Sequence, residues 1–166
     1  MKSATFICAL LAAALPWASA QAKTHAIPDA DPIATVSIPD TWETNEYEGG
    51  VEGTSPDGTI YFAVEEVVAN DVGTAVEDGV KFFEGQGLTI DKANITTKDV
   101  KVNGLEAFDM TLPAKDKDGV TSAGMTLVST NAVGKFLMVY EWGADSAVKA
   151  NAKDIEAITT SLQATK

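Results

Sequence analysis

Residues 94–142, NITTKDVKVNGLEAFDMTLPAKDKDGVTSAGMTLVSTNAVGKFLMVYEW, decide the fold. Asn103-Gly104 separates Asn94–Val102 from Leu105–Leu112, and an Asn-Gly pair between alternating segments is the strongest short hairpin signal, because both residues accept positive φ. Residues 113–119 read as a charged loop, after which Val120–Thr130 and Lys135–Trp142 form a further antiparallel pair around 131–134. In the last strand Phe136, Met138, Tyr140 and Trp142 share one face, while Leu137 and Val139 occupy the other. A strand apolar on both faces is covered on both sides, hence central.

Working toward the N-terminus, Ile33–Ile38 is a short strand closed by Pro39-Asp40. Tyr47–Ser55 and Thr59–Val67 flank Pro56-Asp57-Gly58, a turn in which proline presets φ and glycine accepts a positive one. Ile60, Phe62 and Val64 alternate with Thr59, Tyr61 and Glu65, the mark of a half-buried strand. A helix follows: Thr74 and Glu77 have capping-box spacing, Val76, Val80 and Phe83 recur at helical intervals, and Gly85 and Gly87 end it. Gly79 inside that helix costs about 1 kcal/mol relative to alanine, which implies either close backbone packing or a tolerated weakness. An amphipathic helix over residues 146–162 closes the chain, with Val148, Ala152, Ile155, Ile158 or Thr159, and Leu162 on its buried stripe. Two such helices need sheet surface to cover. The expected architecture is therefore α+β: a three-layer α/β/α sandwich around a central antiparallel sheet of about six to seven strands, with a helix on each face.

Residues 1–20 carry Lys2, an apolar run from Phe6 to Leu15 and the small-x-small triplet Ala18-Ser19-Ala20, the three parts of a secretory signal peptide cleaved after Ala20. Residues 21–32, QAKTHAIPDADP, read as a disordered lead-in, and 33–166 as one domain. The expected location is periplasmic or secreted. The one cysteine, Cys8, lies in the leader, so the mature chain has no thiol chemistry. The whole sequence has a net charge of −12; losing Lys2 leaves eleven lysines against 24 acids, or −13. There is no arginine. Nucleic-acid binding and stable binding to anionic lipid both need basic surface, and are excluded on that ground.

Val36-Ser37-Ile38-Pro39-Asp40-Thr41-Trp42 resembles the opening "strand, Ile-Pro, short turn, Trp" of the PsbP/Mog1-like family, and the Gly104-Leu105 strand entry and the final Ser161-Leu162 are similar too. The resemblance covers residues 33–163 and implies a fold. Family members are non-enzymatic accessory modules: photosystem subunits, a nuclear-transport GTPase binder and small periplasmic proteins. None of their functional motifs matches this chain residue by residue.

Few residues suggest chemistry. Ser146-Ala147-Val148-Lys149 has the S-x-x-K spacing of serine acyl enzymes, against the simpler reading that Ser146 or Asp145 caps a helix and Lys149 points into water. Asp116-Lys117-Asp118-Gly119 resembles half a calcium loop, but aligning its glycine puts Ala114 and Met125 at ligand positions. A weak cation site on Asp116, Asp118 or the nearby acids would make the protein a divalent-cation-responsive accessory subunit. His25, the one histidine, falls in the lead-in and reads as inert. Glu65 and Glu66 are adjacent on a strand, face opposite sides, and so form no acid/base pair. Trp42, Tyr47 and Tyr61 remain as a candidate recognition surface, with packing lids as the alternative. The expectation is a non-enzymatic binding or accessory protein with no cofactor, whose partner, protein or small ligand, the residues do not name.

Overall fold

The computed structural model describes residues 21–165; the expected leader with Cys8 and its cleavage point lie outside the described residues. The elements run β1 (Ala22–Ile27), β2 (Ala34–Pro39), β3 (Glu43–Tyr47), β4 (Gly50–Thr54), β5 (Tyr61–Val68), α1 (Val72–Gly85), β6 (Thr89–Ile90), β7 (Thr96–Val102), β8 (Leu105–Asp116), β9 (Gly119–Ser129), β10 (Lys135–Gly143), α2 (Asp145–Thr160) and β11 (Gln163–Ala164). An eight-stranded antiparallel sheet has the order β3-β4-β5-β10-β9-β8-β6, with β7 also paired to β8; a second sheet has the order β1-β2-β11.

The alternating side chains of the large sheet feed two cores. Phe62, Val64, Val128, Leu137 and Val139 join Ile155, Ile158 and Leu162 and the small sheet's Ile27, Val36 and Ile38. Ala63, Met125, Leu127, Met138 and Tyr140 join Ala75, Val80 and Phe83 of α1. As the double-faced apolar pattern requires, β10 lies centrally between β5 and β9.

The fold is thus sheet-dominated α+β, and the expected six to seven strands with a helix on each face understate it. The described residues form eleven strands and only two α-helices, and α2 shares its layer with a whole extra sheet. The supposed lead-in 21–32 supplies part of that sheet: β1 pairs with β2 along its whole length and buries His25 and Ile27. Its two prolines flank no helix and its apolar residues are sparse, so periodicity alone did not reveal it; pairing to β2 provides the backbone partners. Residues 113–119 are no loop either. β8 and β9 run into a two-residue turn at Lys117-Asp118, where the Asp116 carboxylate accepts from the backbone N–H groups of Asp118 (2.8 Å) and Gly119 (3.0 Å). The α1 cap is Asp71, accepting from the Thr74 N–H at 2.9 Å, rather than Thr74 itself.

Gly79 is resolved in favour of close packing. A Cβ there would stand 2.3 Å from the Met125 Sδ and 3.3 Å from the Met138 Cε, because α1 lies directly on the sheet. Gly79→Ala is therefore expected to destabilise by about 1–3 kcal/mol through overpacking, against the stabilisation of about 1 kcal/mol that helix propensity alone gives. Chemical denaturation of the two proteins reads the sign directly.

Candidate functional site

The three aromatics singled out by sequence do not form one surface. Trp42 is buried on the small-sheet side, edge-on to Phe62 with ring centroids 6.2 Å apart. Tyr47 and Tyr61 serve the opposite face. The Tyr47 and Tyr140 hydroxyls both donate to the Glu65 carboxylate at 2.9 Å, and the Tyr61 hydroxyl donates to Glu52 at 2.8 Å. Tyr61 also stacks on Trp142 at 4.0 Å. Burial first, and then the neighbouring carboxylates, push all three phenol pKa values well above the ordinary range. These hydroxyls are committed to holding β3, β4, β5 and β10 together. Strand parity set Tyr61 opposite Ile60 and Phe62, whereas Trp42 precedes β3 and its place against Phe62 follows from tertiary packing alone.

The remaining sequence candidates separate as well. Ser146 and Lys149 are both exposed, so they do not make the buried pair that an acyl-enzyme site needs. Asp145 lies in the first turn of α2, whose N-cap is Ala144 without a side-chain bond. Glu66 pairs with Lys135 at 2.9 Å, away from Glu65. His25 is far from inert in packing. It is 2% exposed, and its Nδ1–H donates to the Glu46 carboxylate at 2.7 Å, tying β1 to β3. Hydrogen bonds from Lys23 first and His25 second hold the Glu46 carboxyl below its usual pKa. The His25 Nε2 and the Trp42 Nε1 are sealed inside without partners, so neither is presented to a ligand.

Two adjoining cavities run beside α2 instead. One, of about 360 Å³, lies between α2 and the β7–β10 face, walled by apolar residues such as Val100, Val102, Val148 and Ile155. The other, of about 580 Å³, continues along β8 and β9 past the start of α2, from Thr111 and Ser122 to Asp91 and Asp145. Their linings are neighbours across one strand pair, since Thr111 of the second pairs in register with Gly124 of the first. Both volumes fall in the range of small-molecule sites.

Polar groups converge in the smaller cavity. Glu141 of β10 sits opposite Gly124 of β9, and Asp109 of β8 sits opposite Thr126, so the two carboxylates flank β9 diagonally on one face. The Thr126 hydroxyl donates to Asp109 at 3.2 Å. Glu141 is partly buried and has no hydrogen-bond partner among the described residues. Its side chain lies across Gly124, where a Cβ would come within 2.6 Å of its Oε1. A glycine inside a strand often marks such a close approach. Burial first, and the Asp109 charge second, push the Glu141 carboxyl up to about 7. The sequence reading missed this pair. Its one signal was an acid between Tyr140 and Trp142, in a strand otherwise read as apolar on both faces.

Among the described residues no helix is long and apolar enough to cross a membrane. No family model matches the chain, and no curated protein matches it in sequence. Its backbone is similar to solved structures. One is the solution structure of cyanobacterial PsbP (CyanoP) from Synechocystis, at 12% identity and a TM-score of 0.60 over 93% of this chain and 98% of that one. Another is the Ran-binding protein Mog1p of Saccharomyces cerevisiae, at 10% identity and a TM-score of 0.56 over 89% and 97%. A third is LpqN of Mycobacterium tuberculosis, involved in cell envelope biogenesis, at 12% and 0.53 over 87% and 92%. At these identities the likeness concerns the fold, and the fold is PsbP/Mog1-like.

Proposed function

We propose that this is a non-enzymatic binding or accessory protein of the periplasm or extracellular space, and that it takes its ligand in the trough beside α2. The observation that carries the reading is Glu141: a partly buried carboxylate without a protein partner, in a cavity with apolar walls and a second carboxylate across one strand. A carboxyl held partly out of water with no protein partner is costly to ionise, and a cationic ligand would offset that cost. Export accords with the leader pattern in residues 1–20, and an accessory role with the named roles of proteins that share the fold, such as Ran binding by Mog1p.

Two other readings have less support. A Ser-Lys hydrolase would need Ser146 and Lys149 buried together, and both face solvent. A divalent-cation-responsive subunit built on Asp116 would compete with the turn's own N–H groups for that carboxylate.

The test is native mass spectrometry of the protein purified from its host without denaturation, beside an Ala152→Trp variant. Ala152 is an exposed α2 residue lining the smaller cavity, so the indole fills the trough without disturbing the core. The expected result is a retained ligand that the variant loses while keeping its unfolding midpoint. Retention of the same ligand by both proteins would move the site elsewhere, and turnover of an ester, amide or glycoside library would make the protein an enzyme.

A further inference from the structure

Building on the trough as the ligand site, we propose that its occupant is a linear aliphatic polyamine, with an ammonium group seated between Glu141 and Asp109 and its methylene chain lying along the apolar wall of α2.

Three observations select this chemistry. The first is charge. Asp109, Glu141 and Glu156 line the smaller cavity against one cation, Lys101, whose ammonium is already engaged by Glu106 at 2.7 Å. Asp91 and Asp145 continue the acidic lining in the larger cavity, where Lys115 is the one basic residue. The second is hydrogen bonding. An ammonium offers three donors and no acceptor, which complements the free lone pairs of Glu141. The third is wall chemistry. Val100, Val102, Val148 and Ile155 suit methylene groups, whereas a divalent cation, which either keeps its shell of water or takes a set of six or more oxygens, gains nothing from them. Among the described residues no three or more metal-ligating side chains gather to supply such a set. The acids are divided between two neighbouring cavities, Asp109, Glu141 and Glu156 in one and Asp91 and Asp145 in the other, which favours a chain with several amines over a compact amine. Gly124 makes the seat, since any larger residue there would push the Glu141 carboxylate off β9.

Isothermal titration of the purified protein with spermidine at pH 8 and low salt tests the assignment, with butylamine, a tetralysine peptide and magnesium chloride as parallel ligands. Spermidine is expected to bind with a micromolar Kd and butylamine far more weakly. Glu141→Gln should weaken spermidine by about tenfold or more, the scale of one hydrogen bond to a charged group. Glu77→Gln, an equal charge loss on the exposed side of α1, should leave it unchanged. Asp109→Asn provides a second, independent loss. Equal effects of the Glu77 and Glu141 substitutions, displacement by magnesium at matched charge, binding of tetralysine alone, or no binding would each overturn the polyamine assignment. If spermidine fails but an Ala152→Trp-sensitive ligand of another class is retained in native mass spectrometry, the trough stands as the site and only its occupant changes.

Discussion

Glu141→Gln is expected to stabilise the protein by about 2 kcal/mol at pH 8 and to leave its stability unchanged at pH 4. The carboxyl holds its proton up to about 7 in the fold, against an ordinary value of 4.5, because burial and then the Asp109 charge oppose ionisation. A group whose pKa is raised by folding binds its proton more tightly in the native state. Its ionisation therefore subtracts stability as pH rises from about 4.5 through about 7, and the loss is complete above that. Each pKa unit is worth about 1.4 kcal/mol; partial solvent access trims the full conversion to about 2 kcal/mol. Glutamine has the same shape and no charge, so it removes the penalty without opening a cavity. The other ionisable groups lining this cavity are Asp109, Glu156 and Lys101, and they are common to both proteins. The difference between the two denaturation curves, measured at pH 4, 6 and 8, thus isolates Glu141. A flat difference across that range would mean that the carboxylate is solvated, and the trough would lose its defining group.

Gly50→Ala should be costlier still, at about 3 kcal/mol or more. Gly50 starts β4 opposite Glu65, and a Cβ there would fall 2.0 Å from the Val64 carbonyl oxygen and 2.8 Å from the Glu65 Cα. Both are backbone atoms of β5, a strand paired on its other side to β10, so neither can step aside. Relief requires the β3–β4 hairpin to lift from β5, which also breaks the Tyr47–Glu65 bond. Overpacking of a well-formed core costs 1–3 kcal/mol and occasionally more, and immovable backbone places this site at the upper end. Gly85→Ala, with open space around the added methyl, is the matched control and should shift stability by well under 1 kcal/mol. Equal unfolding midpoints for the two variants would show that β4 is free to move on β5.

The fold was legible wherever the signal was local. Asn103-Gly104 forms the turn between β7 and β8, with φ of 49° and 84°, as that dipeptide predicts. The double apolar face of residues 135–142 correctly marked a strand buried on both sides. Short elements without a periodic run escaped notice: β1, β6 and β11 contain two to six residues each and gain their order from a paired neighbour. β11 exists because β2 offers an edge, not because Gln163-Ala164 has a strand pattern of its own.

The candidate site was hidden for the same reason. Trp42 was a candidate for a recognition surface or a packing lid, and it packs in the core shared by the two sheets, which no linear pattern reveals. Asp109 and Glu141 lie 32 positions apart in sequence, and each, read alone, is an ordinary acid in a strand. The pairing of β8 and β10 to opposite edges of β9 sets them on one face, and α2 roofs them.

By itself, the order of residues determined the hairpins, the two amphipathic helices, the acidic character and the want of arginine, since each depends on nearest neighbours or simple counts. Tertiary structure alone decided the second sheet, the burial of His25 and Trp42 and the meeting of two carboxylates. Those depend on strand register and on desolvation, and neither energy exists until distant segments have closed upon one another.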